Sequence, residues 1–183
     1  MQKTVYQFDE LTDAAKEKAR EWFRNASADD NWWSESVIDD AKRIGALVGF
    51  EVDEVYWQGD GACWTGSVTY STGCATAVAR ECPQDAEIQR IARAWADLQR
   101  RNFYQIRGGV SANYRYMRTS VDAYRADYAS VVDEDYINQI VSDFADWIYR
   151  SLEKEYDYQM SDECVDESIR ANEYEFDEDG NRA

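Results

Sequence analysis

Two aromatic runs, Val55-Tyr56-Trp57-Gln58 and Ala62-Cys63-Trp64, are separated only by Gly59-Asp60-Gly61, and this spacing constrains the chain more than any other feature. Glycine takes positive φ at no steric cost and aspartate tolerates it, so an Asp-Gly pair between apolar runs predicts a tight hairpin turn. Residues 50–71 are therefore read as a β-hairpin that nucleates a sheet, with Gly61 at positive φ. The turn admits two readings. In one, Trp57, Gln58, Asp60 and Trp64 present a ligand- or partner-binding edge; in the other, Asp60 caps its own turn and both tryptophans are core.

Periodicity assigns the rest. Lys3 to Phe8 alternates as an edge strand would, and Thr12 is placed to cap a helix in which Ala15, Ala19, Trp22, Phe23 and Ala26 share one face. Trp33, Val37, Ala41, Ile44 and Val48 recur at spacings of three and four, with Gly49 as the stop. These two helices are expected to pack as a hairpin against the sheet. Thr72-Gly73 is read as a turn into a further strand over 75–80. Pro83-Gln84-Asp85 opens a helix with Ile88, Ile91, Ala92, Trp95 and Leu98 inward and Arg90, Arg93, Arg100 and Arg101 outward. Strands are expected over 103–107, 110–118 and 120–128, turning at Gly108-Gly109. A long helix follows from Asp133 to about Gln159, then a shorter one capped by Ser161, and 173–183 reads as a poorly ordered charged tail. The fold class is α+β: an antiparallel sheet with helices packed on one side and an acidic C-terminal helical segment over 131–172. One domain is expected over 1–172, since the single proline and the absence of a low-complexity linker leave no obvious division.

Seven tryptophans and 14% aromatic residues argue for a packed core despite a net charge of −17. The chain has no histidine, so neither a Ser-His nor a Cys-His nucleophile pair can form, and it carries no P-loop or G-x-G-x-x-G. Enzymatic activity is not expected. Cys63, Cys74, Cys82 and Cys164 lack C-x-x-C spacing, which predicts free, buried thiols and implies no metal or other cofactor. No stretch approaches the ~20 apolar residues that span a bilayer, and the first residues do not open a signal peptide, so a cytoplasmic location is expected.

Charge is unevenly spread. Acidic and basic residues number 15 and 8 over 1–83, 5 and 8 over 84–130, and 17 and 4 over 131–183. A field of that sign repels anionic membrane and duplex nucleic acid, so neither is an expected direct partner, and a basic protein is. The acidic segment offers Asp143, Asp146, Glu153, Glu155, Asp157, Asp162, Glu163, Asp166 and Glu167 on helical repeats, which places carboxylates at intervals comparable to DNA phosphates. It is read either as a partner-binding, nucleic-acid-mimicking surface or as a solvated face. In the middle segment Arg107, Arg115, Arg118 and Arg125 interleave with Tyr104, Tyr114, Tyr116 and Tyr124. Arginine grips phosphate bidentately and tyrosine stacks on bases, so a nucleotide is the alternative ligand, unless these arginines only neutralise the chain's own acids.

Gln58-Gly59-Asp60-Gly61-Ala62-Cys63-Trp64 resembles the Q-G-D-G-A-C-aromatic signature of a family of small phage and prophage accessory proteins, some labelled antitoxin-like and with no settled activity. Tyr6 to Leu11, Trp32-Trp33 and the run from Ile91 to Tyr104 agree in order, so the resemblance spans about residues 4–128. It departs in lacking a Phe-Ser-Gly insertion before the signature and in carrying Tyr116-Met117 where relatives have Tyr-His. The resemblance implies a phage setting inside a host cell. The expectation is a phage or mobile-element protein that inhibits a basic host defence or nucleic-acid-handling protein through its acidic surface. The alternatives are a protein that sequesters a nucleotide signal through Trp57, Gln58, Asp60, Trp64, Arg107, Tyr114, Arg115, Tyr116 and Arg118, and an antitoxin that neutralises a basic toxin.

Overall fold

A computed structural model describes residues 4–27, 31–59 and 61–183. The fold is α+β, and the chain divides into two compact units: residues 1–34 with 153–183, and residues 35–152. The division arises because the two chain ends build a core of their own.

In the terminal unit, β1 (Tyr6–Gln7) leads through a single 3-10 turn into α1 (Asp13–Ala26). The hydroxyl of Thr12 caps α1 by accepting from the Ala15 amide at 3.3 Å. Ala15 and Ala19 pack with Phe8 and Leu11 against Val165 and Ile169 of α6 (Asp162–Ala171). The partner of α1 is thus the last helix of the chain, where the sequence pointed to the second. Nor is 173–183 a loose tail. Within it, β6 (Glu175–Phe176) pairs antiparallel with β1, Tyr6 opposite Phe176, and Phe176 is fully buried in the same core. One phenylalanine among acids is enough to anchor the end, since burying an aromatic ring removes a large apolar area from water.

The central unit runs from Glu35 within α2 (Trp32–Val48) to Leu152 within α5 (Glu134–Gln159). Its antiparallel sheet has the order β2 (Phe50–Gln58), β3 (Gly61–Val68), β4 (Ile106–Asn113), β5 (Arg118–Arg125). The predicted hairpin is present: Gln58 pairs with Gly61 across a two-residue turn, and the positive φ (59°) among its described residues falls at Gly59, not Gly61. The register slips at Asp53, opposite Gly66, so one strand carries an extra residue.

Phe50, Trp64, Val68, Ile106, Val110 and Val121 fill the covered face of the sheet, while Ser67, Gly109, Ser111, Ser120, Asp122 and Tyr124 alternate with them on the open one. Phe50 meets Trp95 of α4 (Ala86–Arg101) edge-on at 5.0 Å and Phe144 of α5 at 5.2 Å, which puts both helices on one side. Each buried indole of this unit spends its N–H on an oxygen. Trp64 donates to the Val141 carbonyl at 3.3 Å, Trp95 to the Thr69 carbonyl at 3.1 Å and Trp147 to Asp85 at 2.7 Å. The other oxygen of Asp85 caps α4, accepting from the Glu87 and Ile88 amides at 3.1 Å.

Two local assignments change. Residues 75–80 belong to a helix, α3 (Cys74–Glu81), because Cys74 and Val78, four apart, form its buried face and the intervening alanines favour helix. Gly108 and Gly109 lie inside β4. A Cβ on Gly108 would stand 2.8 Å from the Asp122 carbonyl and from Val121, so the glycine serves close approach of strands and not a turn. The turn lies at 114–117, where Met117 takes φ +45°. Among the described residues no helix is long and apolar enough to cross a membrane.

Candidate functional site

The acidic residues proposed for partner binding divide between the units and differ in what they do. In the central unit Asp143 accepts from Arg90 at 2.8 Å and from Gln139 at 2.7 Å, with its side chain only 17% exposed, and Asp146 is exposed. In the terminal unit Asp162 and Asp166 sit one turn apart on the face of α6 that meets α1. Asp166 receives a bidentate pair from Arg20, Nε at 2.7 Å and Nη2 at 2.9 Å, and Asp162 pairs with Arg24. Donating to the Asp166 carboxylate raises the pKa of Arg20. At the chain ends Arg170 pairs with Asp9 and holds its carboxyl below the ordinary value of 3.8. Glu155 accepts from Gln159 at 2.8 Å.

Glu153, Asp157, Glu163 and Glu167 are left exposed with no ion pair among the described residues. They form two pairs at i, i+4, Glu153 with Asp157 on α5 and Glu163 with Glu167 on α6, about 6 Å apart along each helix axis. The terminal unit holds 19 acidic against 8 basic residues, a net of −11, and the central unit 18 against 12, a net of −6.

The residues proposed for a nucleotide are only partly brought together. Trp64 is fully buried, stacked on Phe50 at 5.7 Å, and cannot touch a ligand. Trp57 is half-buried and Gln58 exposed at the hairpin end, while Asp60 lies outside the described residues. Tyr114, Arg115 and Tyr116 occupy the exposed β4–β5 turn, which folds against the β2–β3 hairpin: Tyr114 packs on Tyr56 at 4.3 Å and the Met117 sulfur lies 3.9 Å from that of Cys63. Arg115 stands over Tyr116, Arg118 opens β5, and Arg107 donates to the Ile106 carbonyl at 2.8 Å farther along the sheet. The two turns meet, but Arg107 and Trp64 are not part of that junction. All four cysteines are free, and burial raises the pKa of each thiol.

A separate concavity lies elsewhere in the central unit. An open groove of about 670 Å³ runs along the outer face of α4, lined by Arg90, Arg93, Asp97, Arg100 and Arg101, and is closed by Tyr70, Tyr104 and Tyr136 and by Gly73 and Cys74 at the start of α3. Tyr70 and Tyr104 rings lie 4.7 Å apart at a 45° tilt. Tyr104 is set by its backbone: Phe103 and Tyr104 both have positive φ, 54° and 62°, after α4 ends at buried Asn102. The arginine stripe of α4 is visible in the sequence as a helical period. The tyrosines that complete the groove come from three separate segments, and no local spacing reveals that they converge.

Residues 33–162, over two thirds of the chain, match the family model described as Domain of unknown function (DUF8835). The chain belongs to this family. The DUF8835 match takes in the whole central unit, groove included, and ends at Asp162, the first residue of α6. No curated protein and no solved structure matches the chain.

Proposed function

We propose that this DUF8835 protein is a phage or mobile-element binding protein that inhibits a basic host protein, one that handles nucleic acid or acts in defence, through the acidic surface of its terminal unit. One observation carries the reading. Within that unit Arg20, Arg24 and Arg170 are spent on Asp166, Asp162 and Asp9, so the surplus carboxylates Glu153, Asp157, Glu163 and Glu167 stand uncompensated. Like charges at i, i+4 cost a helix roughly 0.2–0.5 kcal/mol per pair, so the arrangement serves something other than helix stability. Two rigid helices displaying such pairs offer a basic groove a row of anions in place of phosphates, and a net −11 steers a cationic partner toward them.

The test compares wild type with a variant carrying Glu153→Gln, Asp157→Asn, Glu163→Gln and Glu167→Gln as bait in host lysate. The reading expects a basic protein retained by wild type and lost by the variant. It also expects retention that weakens as salt shortens the Debye length from ~10 Å at 0.1 M toward ~3 Å at 1 M. The retained protein should release DNA or RNA in proportion to its occupancy. A partner held equally by both baits removes the acidic surface from the account, and one that keeps its nucleic acid in the complex removes mimicry.

A further inference from the structure

We infer that the groove on the outer face of α4 is a binding site for a small nucleotide, in which arginines hold the phosphates and tyrosines stack the base. This goes beyond the acidic surface and does not depend on it. The lining carries four arginines against one carboxylate, Asp97, within a protein of net charge −17. Such a local reversal of sign concentrates guanidinium groups, whose planar forks match phosphate oxygens.

These arginines are unequally committed. Arg90 is held by Asp143 at 2.8 Å, and Arg101 by Asp133 while standing over Tyr136 at 6.0 Å. Arg93 has no carboxylate partner among the described residues, and its guanidinium donates to Gln89 Oε1 at 3.4 Å. Arg100 pairs with Asp97 at 2.7 Å, but the two side chains are 67% and 59% exposed. An ion pair so open to water contributes little and exchanges readily for a phosphate. Arg93 and Arg100 are seven residues apart on one helix face, about 10.5 Å along the axis, and their long arms can converge on an anion between them.

The aromatic half of the groove points to a base. Tyr104 is 43% exposed and Tyr136 41%, so ring surface remains available beyond the Tyr70–Tyr104 contact. Base-on-tyrosine stacking tolerates any base and suits a groove of about 670 Å³, within the usual size of small-molecule sites. Length of ligand follows from the wider field. A nucleotide confined to the groove meets arginines, whereas a polynucleotide leaving it meets a surface whose net charge repels phosphate.

The experiment is calorimetric titration of the full chain with ATP, pyrophosphate and a single-stranded oligothymidylate. ATP is expected to bind saturably at one site and more tightly than pyrophosphate. Arg93→Ala with Arg100→Ala should weaken both by about tenfold or more. Tyr104→Ala should lower ATP affinity to that of pyrophosphate and leave pyrophosphate unchanged. Asp97→Asn, which removes the competing carboxylate, should tighten both, a gain that misfolding cannot imitate. Saturable binding of neither ATP nor pyrophosphate overturns the site. Equal binding of the two, unaffected by Tyr104→Ala, overturns the nucleotide in favour of a bare anion, and an oligothymidylate that binds more tightly than ATP overturns the restriction to small ligands.

Discussion

Asn102 and Val132 exchange two hydrogen bonds across 30 residues of chain: the Val132 amide donates to Asn102 Oδ1 at 2.8 Å, and Asn102 Nδ2 donates to the Val132 carbonyl at 3.1 Å. The same amide nitrogen also reaches the Leu98 carbonyl at 3.1 Å, and the residue is fully buried. One side chain thereby closes the C-terminus of α4 and ties down the segment before α5. Asn102→Ala removes the partners of the Val132 amide and carbonyl, while the Leu98 carbonyl keeps the Asn102 backbone amide, and it is expected to cost about 1–3 kcal/mol in urea unfolding. Asn102→Asp should fare no better, because a carboxylate cannot donate to the two carbonyls. A loss under about 0.5 kcal/mol in both would show that the clamp is not structural.

At the bulge, Gly66 has φ +151°, and a Cβ there would lie 1.9 Å from the Glu51 carbonyl oxygen. Backbone cannot step aside as a side chain end can, so Gly66→Ala is expected to lose more than about 3 kcal/mol or to abolish folding. Gly59 at the hairpin turn is the control. It also has positive φ, but nothing lies within 4 Å of its would-be Cβ, so Gly59→Ala should cost only about 1–2 kcal/mol. Melting temperatures of the two variants give the order directly.

That contrast shows where sequence reasoning reached and where it stopped. Caps and periods are local, so Thr12, Asp85 and Ser161 marked the starts of α1, α4 and α6, and the Gly59-containing turn marked its hairpin. The roles of Gly66 and Gly108 depend on which strand lies alongside, and a glycine needed for close approach looks in sequence like a glycine needed for a turn. Trp64 was ambiguous for the same reason: a tryptophan beside a turn is core or contact according to what covers it, and Phe50 and Val141 cover it here. The groove was legible only as the arginine stripe of α4, since Tyr70, Tyr104 and Tyr136 meet it through tertiary packing.

Stability should fall at both ends of the pH scale. Hydrogen bonds from Arg170 and Arg125 hold the Asp9 and Asp127 carboxyls below the ordinary value of 3.8. A folded-state value below the unfolded one contributes stability above 3.8 that is lost as pH drops through the folded value. The four thiols are displaced the other way, raised above 9.0 chiefly by burial, so their contribution is present below 9.0 and lost as pH rises through the folded values. The melting temperature is expected to be flat between about pH 5 and 8 and to decline on either side. A melting temperature that climbs as pH passes 9.0 would contradict the assignment of the thiols, and rapid alkylation of Cys63 and Cys74 in the native protein at neutral pH would do so independently.

The acidic residues of the terminal unit should sort into two classes by their effect on the fold. Asp166 is 16% exposed at its side chain and takes both forks of Arg20, itself 18% exposed. Asp166→Asn keeps the shape but removes the charge and turns one accepting oxygen into a donor facing a guanidinium, which is expected to destabilise by about 1–3 kcal/mol. Glu163 and Glu167 lie on the same short helix, one residue along from Asp162 and Asp166, and face outward. Their substitution by glutamine removes a like-charge repulsion of roughly 0.2–0.5 kcal/mol and breaks no described ion pair, so the melting temperature should hold or rise slightly. The same expectation applies to Glu153 and Asp157 on α5. Thermal unfolding of Asp166→Asn beside the fourfold neutralised variant decides the point. If the fourfold variant loses as much stability as Asp166→Asn, those carboxylates are structural, and their surplus can no longer be read as a surface kept for a partner.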